Sequence, residues 1–230
     1  MTTRLEVKAC GARGPLDAVA LEAVPRDGSG AVDFLGLNLV GSSPRCIDLD
    51  TAGRIVGACR ALVPVLVVRD VAAAQVERVA EALSIHWLQL HGSEPLAEVR
   101  ALARRFQVIK ALDPIQLADD TYVMQLVDAG VRRLLLDGSR PGSGQRWALP
   151  AVKLESGQLH GVPVWLAGGL HAGNVAAAAA ALGVSGVDAA TGVERFGKFA
   201  PDRAIAFAQA ARGVEAPQRP ALDYDPDGET

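Results

Sequence analysis

Residues able to do chemistry stand where apolar runs stop. Leu134-Leu135-Leu136 ends in Asp137 and passes into Gly138-Ser139-Arg140-Pro141-Gly142-Ser143-Gly144. A carboxylate at the end of a buried strand can trade protons, and a Gly-Ser-Gly loop offers backbone N–H groups to an anion such as phosphate. Other segments end in the same way. The run 5–10 closes on Cys10 before Gly11, the run 32–40 leads into Gly41-Ser42-Ser43-Pro44-Arg45, and 85–92 carries His91 near its end. Residues 162–167 stop at Gly168-Gly169, and 184–190 enter Thr191-Gly192. Backbone N–H groups at these last two loops, aided by a short helix expected at 193–196, would hold a phosphate through aligned dipoles.

Those positions require strands that all deliver their C-terminal ends to one place. Three consecutive leucines before Asp137 read as a strand covered on both faces, as in parallel sheets. Strand patterns recur at 5–10, 32–40, 63–68, 85–92, 108–112, 132–137, 162–167 and 184–190. Helical patterns alternate with them at 15–21, 50–62, 71–83, 94–106, 117–129, 147–155, 174–182 and 202–212. Eight such units imply right-handed crossovers and closure, so the expected fold is α/β, a single (β/α)8 TIM barrel over residues 1–214. An open doubly wound sheet is the alternative, but no strand is followed by a full Gly-x-Gly-x-x-Gly fingerprint. Residues 215–230 are rich in Pro and Asp without period and are expected to be a disordered tail.

Composition narrows the function classes. Half of the 230 residues are hydrophobic but only 4% are aromatic, so the core is built from Ala, Val and Leu. With 23 basic and 26 acidic residues the net charge is −3, and no basic stripe marks a nucleic-acid surface. Three cysteines without paired spacing argue against a disulfide framework or a zinc site. No leader-like or bilayer-length apolar run is present, which makes a reduced cytoplasmic setting the expectation and gives no ground for a membrane partner.

Taken in order and spacing, several of these motifs resemble the phosphoribosylanthranilate isomerase family. They are Val7-Lys8-Ala9-Cys10-Gly11, Gly36-Leu37-Asn38 with Ser43-Pro44-Arg45, Gln89-Leu90-His91-Gly92, and Val108-Ile109-Lys110-Ala111. Leu135-Leu136-Asp137 with Gly142-Ser143-Gly144, Gly168-Gly169-Leu170 with Asn174, and Gly186-Val187-Asp188 with Gly192-Val193-Glu194 complete the set. The resemblance implies an Amadori rearrangement in tryptophan biosynthesis, with Asp137 as general acid, Cys10 as general base and Arg45 as partner of the anthranilate carboxylate. It implies a phosphorylated small-molecule substrate and no metal, nicotinamide or flavin; oligomeric state is left open. The chain departs from the family's pattern in places. Leu66-Val67-Val68-Arg69 stands where Val-Phe-Val-Asn is common, and Pro141 replaces a glycine.

Plainer readings apply to other residues. Cys46 and Cys59 are expected to be small buried hydrophobes. His86, His160 and His171 are expected at the surface or in packing, and Trp87 and Trp165 in barrel or helix-interface packing. For His91, a structural hydrogen bond and a substrate-side role weigh equally. The rival functions are another sugar-phosphate barrel enzyme, such as a ribulose-phosphate epimerase or a dual-substrate isomerase, and a non-catalytic phosphate-ligand binder.

Overall fold

The structure, a computed structural model, describes residues 4–26, 28–138, 154 and 157–213. The expected loop Gly142–Gly144, nearly all of the helix at 147–155, and the tail at 215–230 fall outside them. Eight strands form the ring: β1 (Glu6–Cys10), β2 (Phe34–Asn38), β3 (Val63–Val68), β4 (Trp87–Leu90), β5 (Gln107–Leu112), β6 (Arg133–Asp137), β7 (Val162–Ala167) and β8 (Gly186–Ala189). Each pairs in parallel with the next, and β8 pairs with β1, so the sheet closes on itself. Around it lie α1 (Pro15–Glu22), α2 (Leu49–Ala58), α3 (Ala73–Ala82), α4 (Leu96–Ala103), α5 (Pro114–Ala118), α6 (Asp120–Asp128), α7 (Val175–Leu182) and α8 (Pro201–Arg212).

Strand alternation divides the core in two. Val7, Ala9, Leu35, Leu37, Leu66, Leu88, Leu134 and Leu136 pack outward against the helices. Phe34, Val65, Ile109, Leu135, Trp165 and Ala167 cluster separately, inside the barrel. Phe34 meets Trp87 and Trp165 edge-on, with ring centroids 5.3 and 5.0 Å apart. Below them the barrel is shut by a polar plug. Arg133 pairs with Glu6 at 3.0 Å, and the Trp165 indole N–H donates to the same carboxylate at 3.0 Å. Both tryptophans thus pack inside the barrel, so its mouth must lie at the other end.

Three helical expectations change. The second helix stops at Ala58 rather than 62, because the N–H groups of Arg60, Ala61 and Leu62 turn to the Glu22 carboxylate at 2.7, 2.9 and 2.7 Å. Burial raises the pKa of Glu22, but these N–H bonds outweigh it and hold the carboxyl below its usual range. The single helix expected at 117–129 starts earlier and breaks in two. Asp113 caps α5 by accepting from Ile115 and Gln116, and Asp119 ends α5 while capping α6 through Tyr122 N–H. The helix expected at 193–196 is absent. A single 3₁₀ turn (Thr191–Val193) leads into a small hairpin, Glu194–Arg195 paired with Lys198–Phe199. Phe196 and Gly197, at φ of 53° and 71°, make a reversal that no helix accommodates.

Candidate active site

The C-terminal ends of the strands open into a cavity of about 520 Å³. Cys10, Asn38, Arg45, Arg69, Gln89, His91, Asp137, Gly168, Gly169, Asp188 and Thr191 are among the residues lining it. The structure therefore gathers into one space the thiol, carboxyl, arginine and histidine that the sequence placed at separate strand ends.

Cys10 closes β1 and is buried. Opposite it on β2 is Gly36, where an added Cβ would sit 2.6 Å from the Cys10 sulfur, so the thiol fills the space a larger residue would need. One period of the strand below, two residues earlier, Lys8 faces inward as well, fully buried and bonded through Nζ to Asp188 Oδ2 at 2.9 Å. Burial drives the Cys10 thiol upward; Lys8 and Arg45 pull it down, Asp188 pushes it up, and the net position lies above the ordinary thiol value. Lys8 itself stays charged: burial lowers its pKa, but Asp188 and Cys10 more than offset this. Asp188 Oδ1 is buried and has no hydrogen-bond partner among the described residues. Lys8 and Asp188 were not singled out as site residues from the sequence. The signal was there, since Glu6, Lys8 and Cys10 share one face of a strand whose other face is Val7 and Ala9.

Asp137 closes β6 across the ring. Its Oδ2 lies 3.2 Å from His91 Nε2, and His91 Nδ1 lies 2.8 Å from Gln89 Nε2. With the Gln89 amide as donor, Nδ1 accepts, and the remaining ring proton on Nε2 is given to Asp137; the tautomer follows from that amide orientation. His91 therefore sits beside the Asp137 carboxyl rather than apart from it. Its loop is fixed from behind by Lys110, fully buried, which donates to Gly92 O at 2.7 Å and pairs with Glu94 Oε2 at 2.9 Å. Glu94 Oε1 in turn accepts from the N–H groups of Asp70 and Gly92.

Arg45 runs over Gly11, where a Cβ would meet its Cδ at 2.9 Å and φ is +106°. Its guanidinium already holds a carboxylate. Nε and Nη2 donate to Glu194 at 2.7 and 3.1 Å, and Nη2 also donates to Thr191 Oγ1 at 2.9 Å. Next to this loop, Gly168 and Gly169 leave β7 with φ of +88° and +62°. Asn174 ties the turn by donating to Gly169 O at 3.0 Å. Gly192 packs so close to Leu170 O that a Cβ would stand 1.9 Å from it. Gly168, Gly169, Thr191 and Gly192 therefore come together, while Gly142, Ser143 and Gly144 lie outside the described residues. Cys46 and Cys59 are half-buried, away from this cavity, and both bond backbone carbonyls rather than each other. His86, His160 and His171 are exposed, as expected.

A sequence profile described as N-(5'phosphoribosyl)anthranilate (PRA) isomerase matches residues 7–210. The chain belongs to the phosphoribosylanthranilate isomerase family. It is 33% identical over 230 residues to an N-(5'-phosphoribosyl)anthranilate isomerase of Afipia carboxidovorans, covering 96% of this chain and 95% of that one. Its fold is similar to the crystal structure of TrpF from Jonesia denitrificans, with a TM-score of 0.74, 30% identity, and 93% and 100% of the two chains covered. A second solved family structure holds reduced 1-(o-carboxyphenylamino)-1-deoxyribulose 5-phosphate. It aligns with a TM-score of 0.69 at 25% identity, over 91% of this chain and 100% of that one. Among the described residues no helix is long and apolar enough to cross a membrane.

Proposed function

We propose that this chain catalyses the Amadori rearrangement of N-(5-phosphoribosyl)anthranilate to 1-(2-carboxyphenylamino)-1-deoxyribulose 5-phosphate, a step of tryptophan biosynthesis carried out in the cytoplasm. The observation that carries this reading is that Cys10 and Asp137, from β1 and β6, line one cavity whose rim is made by the Gly168-Gly169 and Thr191-Gly192 loops.

The ring oxygen of an aminofuranose leaves poorly as an alkoxide. Asp137 protonates it as the C1–O bond breaks, and the nitrogen lone pair forms the C1=N iminium. That cation makes the C2 proton acidic, and Cys10 removes it. The resulting enolamine takes a proton at C1 and loses one from the C2 hydroxyl, so the product is an isomer of the substrate. The elevated Cys10 pKa fits this order of events. Burial holds the sulfur as a thiol, and an iminium formed beside it favours the thiolate at the moment a base is needed. His91 keeps the acid in place through its Nε2 contact with Asp137. Backbone N–H groups of Gly168, Gly169, Thr191 and Gly192 receive the phosphate. Arg45 lies at the same rim, within the reach of the carboxylate end.

The test is conversion by the purified protein. Fluorescent phosphoribosylanthranilate should be consumed without added metal or cofactor, yielding a product of unchanged mass. Absence of turnover, or turnover abolished by a chelator, would contradict the proposal.

A further inference from the structure

The acid proposed above, Asp137, must meet the substrate with its proton on. Its Oδ2 lies 3.2 Å from His91 Nε2, and the two tautomers of a neutral imidazole use that contact in opposite ways. With the ring proton on Nε2, the imidazole donates to a carboxylate and favours the charged form. With the lone pair on Nε2, only a protonated carboxyl can donate across the gap, and the proton is held where ring opening needs it.

The partner of Nδ1 decides between them. It is Gln89, on β4 two residues before His91, 2% exposed and lining the cavity, with its amide nitrogen 2.8 Å from Nδ1. In that orientation Gln89 Oε1 is buried without a hydrogen-bond partner among the described residues. Leaving a buried acceptor unpaired is costly, and a half-turn of the terminal amide brings Oε1 to Nδ1. The ring proton then belongs on Nδ1, and Nε2 faces Asp137 as an acceptor. The wall gains as well. Among the described residues, the buried unpaired side-chain atoms on this cavity are both acceptors, Gln89 Oε1 and Asp188 Oδ1, so exchanging one for an N–H group moves it toward balance. Arg69, Asp70 and Asp113 line the neighbouring cavity of about 320 Å³ together with His91 and Asp137. None of these charged groups bonds Nδ1, and Lys110 behind the loop is paired with Glu94, so the tautomer is left to the amide.

We propose that Gln89 is a positioning residue: it presents Oε1 to His91 Nδ1–H, and His91 Nε2 then accepts from a protonated Asp137 and keeps it ready as the general acid. This rests on the functional reading above. The chemical step is unaltered. The Asp137 O–H bond breaks, its proton passes to the ring oxygen, and the C1–O bond electrons stay on that oxygen. The carboxylate left behind faces a lone pair, which makes it ready to take up the next proton.

The test reads the tautomer directly, from imidazole ¹⁵N resonances at about pH 8, where an ordinary histidine is neutral. His91 is identified among the four histidines by the signal lost in His91→Asn. The parent protein should carry the His91 proton on Nδ1. Gln89→Met, which fills the space without an amide, should move that proton toward Nε2. Its kcat should fall by roughly 3- to 10-fold, the population change that one neutral hydrogen bond controls, while it binds reduced 1-(o-carboxyphenylamino)-1-deoxyribulose 5-phosphate as tightly as the parent. A proton on Nε2, or on both nitrogens, in the parent protein overturns the assignment, and that spectrum decides even if Gln89→Met does not fold. So does a Gln89→Met protein with unchanged tautomer and kcat, or one whose affinity for the analogue falls in step with kcat, since Gln89 then acts by touching the ligand. A parent protein that turns over phosphoribosylanthranilate with the proton on Nε2 sinks this assignment alone. One that gives no turnover removes the functional reading, and the acid role with it.

Discussion

The base proposed at the end of β1, Cys10, is a buried thiol above two buried, opposite charges. Burial is the largest influence on Cys10 and outweighs the downward pull of Lys8 and Arg45, so the free protein holds the sulfur protonated. Since kcat/KM reports ionisations of the free enzyme, its ascending limb should lie above the ordinary thiol value of roughly 8.5. Activity should rise with pH as the thiolate forms. A steady-state profile whose limb falls at or below the ordinary value would show that Lys8, not burial, sets the base. The functional ends of the strands were legible because Cys10, His91 and Asp137 interrupt apolar runs. Lys8 and Asp188 were less so. The shared face of Glu6, Lys8 and Cys10 is a signal, but a lysine in a strand can equally be a solvated face, and only the closed ring brings Asp188 against it.

Some helix ends are set by carboxylates that lie outside the helix, and this is what periodicity cannot report. Glu22 of α1 ends α2 through three N–H bonds, and Asp119 splits one apolar pattern into α5 and α6. The loop after β4 is built in the same way around Glu94 and Lys110, both buried and paired at 2.9 Å. Lys110→Met would leave Glu94 as an uncompensated buried charge, which typically costs about 3–5 kcal/mol. Its melting temperature should drop accordingly, and its kcat should fall because the loop carries His91. Replacing both residues by apolar ones of similar volume should recover most of the stability but not the rate. A single Lys110→Met protein as stable as the parent would show that the pair does not organise the loop.

The closed ring was readable from eight apolar runs alternating with helical patterns, since parallel strands with covered faces have few other ways to close. What the runs could not show is the interior order: a polar plug of Glu6, Arg133 and Trp165 at the base, an aromatic layer, the Lys8–Asp188 pair, then the open mouth. Folding also holds two thiols protonated. Burial, reinforced by Glu22, pushes Cys59 to about 11, and burial raises Cys10 as well. The unfolded chain loses these protons first, from the ordinary thiol range upward. Stability should therefore be complete below that range and decline as pH rises toward 11. Urea midpoints taken at successive pH values should show this slope, and Cys59→Ala should flatten it. An equal slope in that variant would assign the alkaline loss to other groups.

The central claim is that one thiol and one carboxyl, brought together by the closed barrel, perform the isomerisation. The most direct measurement is kcat on phosphoribosylanthranilate for Cys10→Ala and Asp137→Asn beside the parent protein. A positioned acid or base contributes on the order of 10²–10⁴-fold, so each variant should lose at least 100-fold in kcat while still binding the reduced product analogue. Near-parental kcat in both variants would contradict the account.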